Sequence, residues 1–176
     1  MTGDDIAVLL GFLAGAIALA GFAGIVTSID RGAAVASNEV ISFRVRNLVT
    51  SAVAQVFLSL LPVLLEALEL FRSSLWQWCC VVSALGISAL LFSLLSARLR
   101  MRGGKDAGLS HSLFAANMTF GALALGVLIA GASGAVAGRG AYFTGLCYLM
   151  YLMCTLFHRM VAMADAAASH AAKRKP

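Results

Sequence analysis

The sequence predicts an all-α fold: a polytopic membrane helical bundle of five transmembrane helices, amino end outside and carboxyl end cytoplasmic. Three observations predict it. Hydrophobic residues make up 61% of the 176 and charged residues only 12%, against roughly 25% charged in soluble domains. Five uncharged runs, Ile6–Ile29, Leu48–Leu65, Leu75–Ala97, Ser112–Gly138 and Gly140–Phe157, each reach at least 18 residues. About 20 apolar residues cross a hydrocarbon core of ~30 Å as helix. Finally, eleven of the thirteen Lys and Arg residues follow the first, third and fifth runs. Arg72 and Arg139 alone follow the second and fourth. Short-loop Lys/Arg bias sets orientation, so the odd-numbered ends face the cytoplasm. The whole chain, 1–176, reads as one transmembrane domain with spans at about 6–29, 44–68, 75–97, 112–133 and 140–161 and a basic cytoplasmic tail at 162–176.

The first span opens on Asp4 and Asp5 with no base ahead of it. A secretory signal carries a basic n-region and a shorter apolar stretch, so this segment is expected to stay as an anchor. Gly11 and Gly15 form a G-x-x-x-G, extended by Ala14, Ala18, Gly21 and Gly24. Small residues let helix backbones approach where lipid removes the hydrophobic drive between helices, so Gly11 and Gly15 are assigned to helix packing. Gly32–Ser37 reads as a turn, and Ser37 or Asn38 is suited to cap a helix beginning near Glu39. That helix should run through Arg44 and Arg46 directly into the second span.

The second span differs from the rest. At 100° per residue, Arg44, Asn47, Ser51, Gln55, Ser59, Pro62, Glu66 and Glu69 fall within an arc of about 120°. The stripe crosses the whole membrane, basic at its cytoplasmic end and acidic at its outer end. Polar side chains at membrane depth turn toward the bundle or a water-filled cavity, so this face points inward. Pro62 lacks an N–H and should free the carbonyl near Leu58, a kink expected to open a vestibule lined by Glu66 and Glu69. Two uses fit the stripe. It is either a helix–helix interface joined by side-chain hydrogen bonds, about 0.6 kcal/mol each, or the lining of a narrow path. No span carries a charge near the bilayer centre, which speaks against proton- or ion-coupled transport.

The third span begins with Trp76 and Trp78, placed for an outer aromatic belt, and Gly103–Gly104 ends the link that follows it. The fourth span repeats small residues every four positions, Ala122, Gly126, Ala130, Gly134 and Gly138. Gly126 and Gly134 are therefore also assigned to helix packing. The glycine-rich stretch before Tyr142 should be a tight turn outside. The fifth span carries a second stripe, Tyr148, Tyr151, Thr155 and His158. His158 and His111 should share one depth at the cytoplasmic face. Two imidazoles without carboxylate or thiolate support are a polar helix end rather than a metal or haem site, so no metal and no cofactor is assigned.

Cys79, Cys80, Cys147 and Cys154 all lie inside spans, with no C-x-x-C. They read as small packing residues, with a disulfide between the third and fifth spans left open. No G-x-S-x-G, H-E-x-x-H or phosphate-cradling Gly-rich loop is present, so no catalytic residue is assigned and the chain is not read as an enzyme. The net charge of +5 comes from topogenic residues scattered over three segments, which excludes a nucleic-acid surface.

Ala20–Val26 (A-G-F-A-G-I-V), Phe43–Val49 (F-R-V-R-N-L-V) and Leu60–Leu65 (L-L-P-V-L-L) together resemble a loose group of small uncharacterised bacterial inner-membrane proteins. Those have a Gly/Phe-rich first span and a second span running from Arg-x-Arg to Leu-Leu-Pro. The resemblance covers about the first 70 residues and implies a multi-pass protein of the bacterial inner (plasma) membrane, with no activity attached. The expected role is a structural or partner-binding subunit, its partners the lipid bilayer and a second copy or another membrane protein. The alternative is a small-solute or ion channel with the second span lining the path. A dry, packed face would sink that alternative.

Overall fold

A computed structural model describes residues 1–31, 39–69, 71, 73–101 and 111–173. They form five helices: α1 (Gly3–Arg31), α2 (Glu39–Ala67), α3 (Leu75–Met101), α4 (His111–Ala132) and α5 (Gly138–Lys173). All five contain a stretch long and apolar enough to cross a membrane: Gly3–Ile25, Arg46–Ala67, Leu75–Ser96, Ser112–Ala132 and Gly138–Arg159. The protein is an all-helical, multi-pass membrane bundle. The turn and caps expected over 32–38 and the glycine break at 103–104 lie outside the described residues.

Helix ends are set by local chemistry. Thr2 and Asp5 form a reciprocal cap on α1, with Thr2 N–H donating to Asp5 Oδ2 at 2.8 Å and Asp5 N–H to Thr2 Oγ1 at 3.4 Å. This is the capping-box arrangement with Asp in place of Glu. At the end of α4, Gly134 takes φ +78°. Its N–H donates to the Gly131 carbonyl and that of Ala135 to the Ala130 carbonyl, which is the Schellman motif. α2 continues unbroken through Pro62. α5 is 36 residues long, about 54 Å at 1.5 Å per residue. It therefore continues as helix beyond 161, through most of the segment expected to be a tail.

α5 is the central helix. It packs against each of the other four, while among the described residues α1 touches α2 and α5, and α4 touches α3 and α5. Half of its membrane window is buried, against 17% for α1 and for α4. Its Tyr142, Leu146 and Leu149 join Leu9, Leu58, Cys79, Ile87 and Leu128 in the largest apolar cluster. The start of α1, the end of α2, the start of α3 and the start of α5 lie on one face of the bundle, here the amino-terminal face. Contacts between Met1 and Glu66, Asp5 and Arg139, and Trp76 and Tyr142 join them there.

The glycines used for close approach differ from the expected set. Gly15 holds the tip of the Met150 side chain. Gly11 and Gly126 face outward, and a Cβ added at either would meet nothing within 4 Å. Gly134 is the left-handed residue of the α4–α5 turn and does not belong to a packing face. The tight positions are Gly121 against Tyr148 and Leu91, Gly131 against Ala141 and Cys80, and Gly145 against Ser83 and Leu128. The reason is rotational. The inward side of α4 follows Gly121, Ala124, Leu128 and Gly131, so Ala122 and Gly126, which fall one and two positions past Gly121 and Ala124, are turned outward. A four-residue spacing of small residues marks a face without saying which way it is turned.

Candidate functional site

Among the described residues, the α2 face holds most of the buried polar side chains, Asn47, Ser51, Gln55 and Ser59. Its positions follow from helical rotation about α2. Ala52 and Val56 pack with Ala16, Leu19 and Ala20 of α1 and with Met150 and Met153 of α5. On the other edge, Leu58, Leu61 and Leu65 join the cluster that includes Leu75 and Ala84 of α3. Between these two edges lie Ser51, Gln55 and Ser59, exposed by 1%, 0% and 1%, with Asn47 at 8%. Several of these groups are also without partners among the described residues: Asn47 Nδ2, Gln55 Nε2 and Oε1, and Ser59 Oγ. A buried polar group left without a hydrogen bond costs about 1–3 kcal/mol.

At the amino-terminal face the stripe ends in charge. Glu66 Oε1 accepts from the Met1 ammonium at 3.0 Å, and Glu69 is exposed in the left-handed region at φ 54°. At the opposite end, Arg46 is exposed, and the Arg44 side chain lies outside the described residues. The structure thus brings Asn47, Ser51, Gln55 and Ser59 into one enclosed row and leaves Glu66 and Glu69 outside it. The vestibule expected beside Pro62 is filled. Pro62 is fully buried, and the Leu58 carbonyl that it leaves without a helical donor accepts the Tyr142 hydroxyl. That acceptor lies four residues before the proline, where the missing N–H would have bonded.

Sequence reasoning missed a second constellation. Arg139 Nη2 lies 2.6 Å from Asp5 Oδ1, a close contact of opposite charges between a half-exposed guanidinium and a carboxylate that is 3% exposed. Asp5 is thereby shared, its other oxygen capping α1 through Thr2. The Thr2-x-x-Asp5 spacing was the available signal for the cap. Nothing in the chain announces the pairing with a residue 134 positions away. Beside this clasp a recess of about 300 Å³ is lined by Ser74, Trp76, Gln77, Gly134 and Gly138, with Met1 at its edge.

No family model, curated protein or solved structure matches the chain.

The α5 stripe is divided among neighbours. Tyr148 Oη donates to the Asn117 carbonyl at 3.3 Å, Tyr151 meets Phe120 edge-on at 5.3 Å, and Thr155 bonds back to the Leu152 carbonyl at 2.8 Å. His158 is exposed, and the side chain of His111 lies outside the described residues. Among the described residues no three His, Cys, Asp or Glu side chains gather as metal ligands. All four cysteines are free, Cys79 and Cys80 buried and Cys147 and Cys154 exposed on α5. Cys80 donates to the Gly138 carbonyl at 3.2 Å. The disulfide left open between the third and fifth spans is not formed. What the enclosed row offers chemically is hydrogen-bonding capacity without access: amides and hydroxyls sealed among apolar side chains.

Proposed function

We propose that this chain is a non-catalytic subunit of a membrane assembly, in which the α2 polar face is the internal interface closing the bundle. The outward apolar faces then meet lipid or a partner helix. One observation carries the reading: Ser51, Gln55 and Ser59 are at most 1% exposed, as in a packed seam and unlike a wet path. The notion of a channel lining loses its main support, because lining side chains need water beside them. The resemblance of the first 70 residues supports a bacterial inner membrane as the setting. The Lys/Arg alternation supports an amino-terminal face turned outward.

The test is Gln55→Leu. An interface role predicts an intact, monodisperse protein whose unfolding free energy rises by about 1 kcal/mol, because an unpaired carboxamide is replaced by an apolar group of similar size. Unfolding in detergent with increasing denaturant reads this directly. Ion or solute flux in proteoliposomes that Gln55→Leu abolishes, with assembly unchanged, would overturn it. Orientation is checked separately with Ala33→Cys in a chain whose native cysteines are replaced by alanine. An impermeant thiol reagent should reach it from the cytoplasmic side only, and labelling from outside would reverse the assignment.

A further inference from the structure

Trp76 and Trp78 stand two positions apart on α3, which turns them about 200° from one another, and the bundle uses them differently. Trp76 packs inward, 5.9 Å from both Tyr142 and Phe143. Trp78 is 43% exposed, and its ring lies 4.7 Å from that of Phe71. Phe71 belongs to no helix. It lies in the α2–α3 connection, between the apolar stretches Arg46–Ala67 and Leu75–Ser96. Trp78 is in the first turn of the second stretch. A ring packed on Trp78 is therefore at the depth of the α3 span, so Phe71 folds back beside the helix rather than standing clear of it.

The backbone shows how the fold-back is made. Past α2 the helical pattern continues briefly, with Leu68 N–H donating to the Leu64 carbonyl and Glu69 N–H to that of Glu66. Glu69 and Phe71 then take φ 54° and 57°, the left-handed region, which is disfavoured for a bulky residue such as phenylalanine. The Phe71 carbonyl accepts from Ser74 N–H at 2.8 Å, leading into α3. Such strain persists where the surroundings offset it. The chain offsets it only in part, since Phe71 stays 46% exposed against Trp78. The surface below the pair identifies the rest of the surroundings. Trp78, Val82, Leu85 and Phe92 share one exposed apolar face of α3. On a membrane-spanning helix such a face meets acyl chains, and the aromatic pair stands at its end.

We propose that the α2–α3 connection is a lipid anchor: Phe71 inserts at the boundary between acyl chains and headgroups, against Trp78, whose indole N–H serves as donor to lipid ester oxygens. Rings with an apolar body and a polar handle favour that layer. The anchor fixes the depth of the first turn of α3, while Trp76 holds the same turn to the bundle from its other side. It goes beyond the reading of the α2 face and does not depend on it.

The test uses two single-tryptophan chains in phosphatidylcholine vesicles, with bromine near either the ester end or the methyl end of the acyl chains. Trp76→Phe leaves Trp78 as the reporter, since the chain has two tryptophans. Phe71→Trp, combined with Trp76→Phe and Trp78→Phe, moves the reporter into the connection and keeps an aromatic pair. Both should lose most of their emission to bromine near the ester end and less to bromine near the methyl end. Acrylamide in the water should quench the Phe71→Trp reporter far less than free tryptophan amide. Strong acrylamide quenching without bromine quenching puts the connection in water and overturns the anchor. Quenching by neither means that a second copy or another chain covers the ring, which also overturns it. Strongest quenching from the methyl end places the ring in the hydrocarbon core and overturns an interfacial site. A Trp78 reporter quenched near the ester end while the Phe71→Trp reporter is not leaves α3 at the interface but overturns the part given to Phe71.

Discussion

Gly131→Val is expected to lower the unfolding free energy by about 3 kcal/mol, the upper end for overpacking a well-filled core. Gly11→Val and Gly126→Val should each stay within about 0.5 kcal/mol, as for substitutions away from packed features. At Gly131 an added Cβ would overlap the Ala141 Cβ and stand 3.0 Å from Cys80 Sγ, with Gly138 Cα at 3.5 Å. None of these is the far end of a flexible side chain, so α4 and α5 would have to separate. Cys80 would move with them, and its bond to the Gly138 carbonyl would weaken. At Gly11 and Gly126 nothing lies within 4 Å, so valine would simply meet lipid. Denaturant unfolding of the three variants in one detergent provides the comparison. A large loss at Gly11 or Gly126 would show that the outward small faces are occupied, by a second copy or another chain.

Tyr142→Phe is the second large effect, about 1–3 kcal/mol, because it leaves the buried Leu58 carbonyl without a donor. The distinctive outcome is its dependence on Pro62. In a Pro62→Ala background the restored N–H can bond the Leu58 carbonyl along the helix. Tyr142→Phe should then cost no more than the about 0.6 kcal/mol of an average hydrogen bond between membrane helices. A double-mutant cycle measures that difference. Additive losses would mean that Tyr142 stabilises the bundle through its ring alone, packed 5.9 Å from Trp76.

The span count, the class of fold and the inward turn of Asn47, Ser51, Gln55 and Ser59 on α2 were legible because each depends on short-range or one-helix properties. Run length, charge position and 100° rotation need no knowledge of neighbours. The same rotation explains why Pro62 pointed to Leu58: the acceptor freed by a proline is four residues back on its own helix. It gave no way to choose Tyr142 as the donor, 84 positions on. The small-residue faces were legible only in part, Gly15 meeting Met150 while Gly11 and Gly126 face outward, for a related reason. Spacing by four put Gly126 and Gly11 in order, but lipid-facing and protein-facing small residues look alike when both surroundings are apolar. In a soluble helix a polar face would have marked the outside.

Composition and charge placement alone specify a five-helix membrane protein and an expected orientation, because the bilayer penalises exposed backbone and charge more severely than any local preference. Tertiary packing settles what the chain could not state. It makes α5 the centre, seals Gln55 and Ser59 inside the bundle, and closes Asp5 on Arg139. Those outcomes depend on which helix lies beside which. Five apolar helices carry almost no sequence mark of their neighbours, so that choice exists only in the assembled bundle.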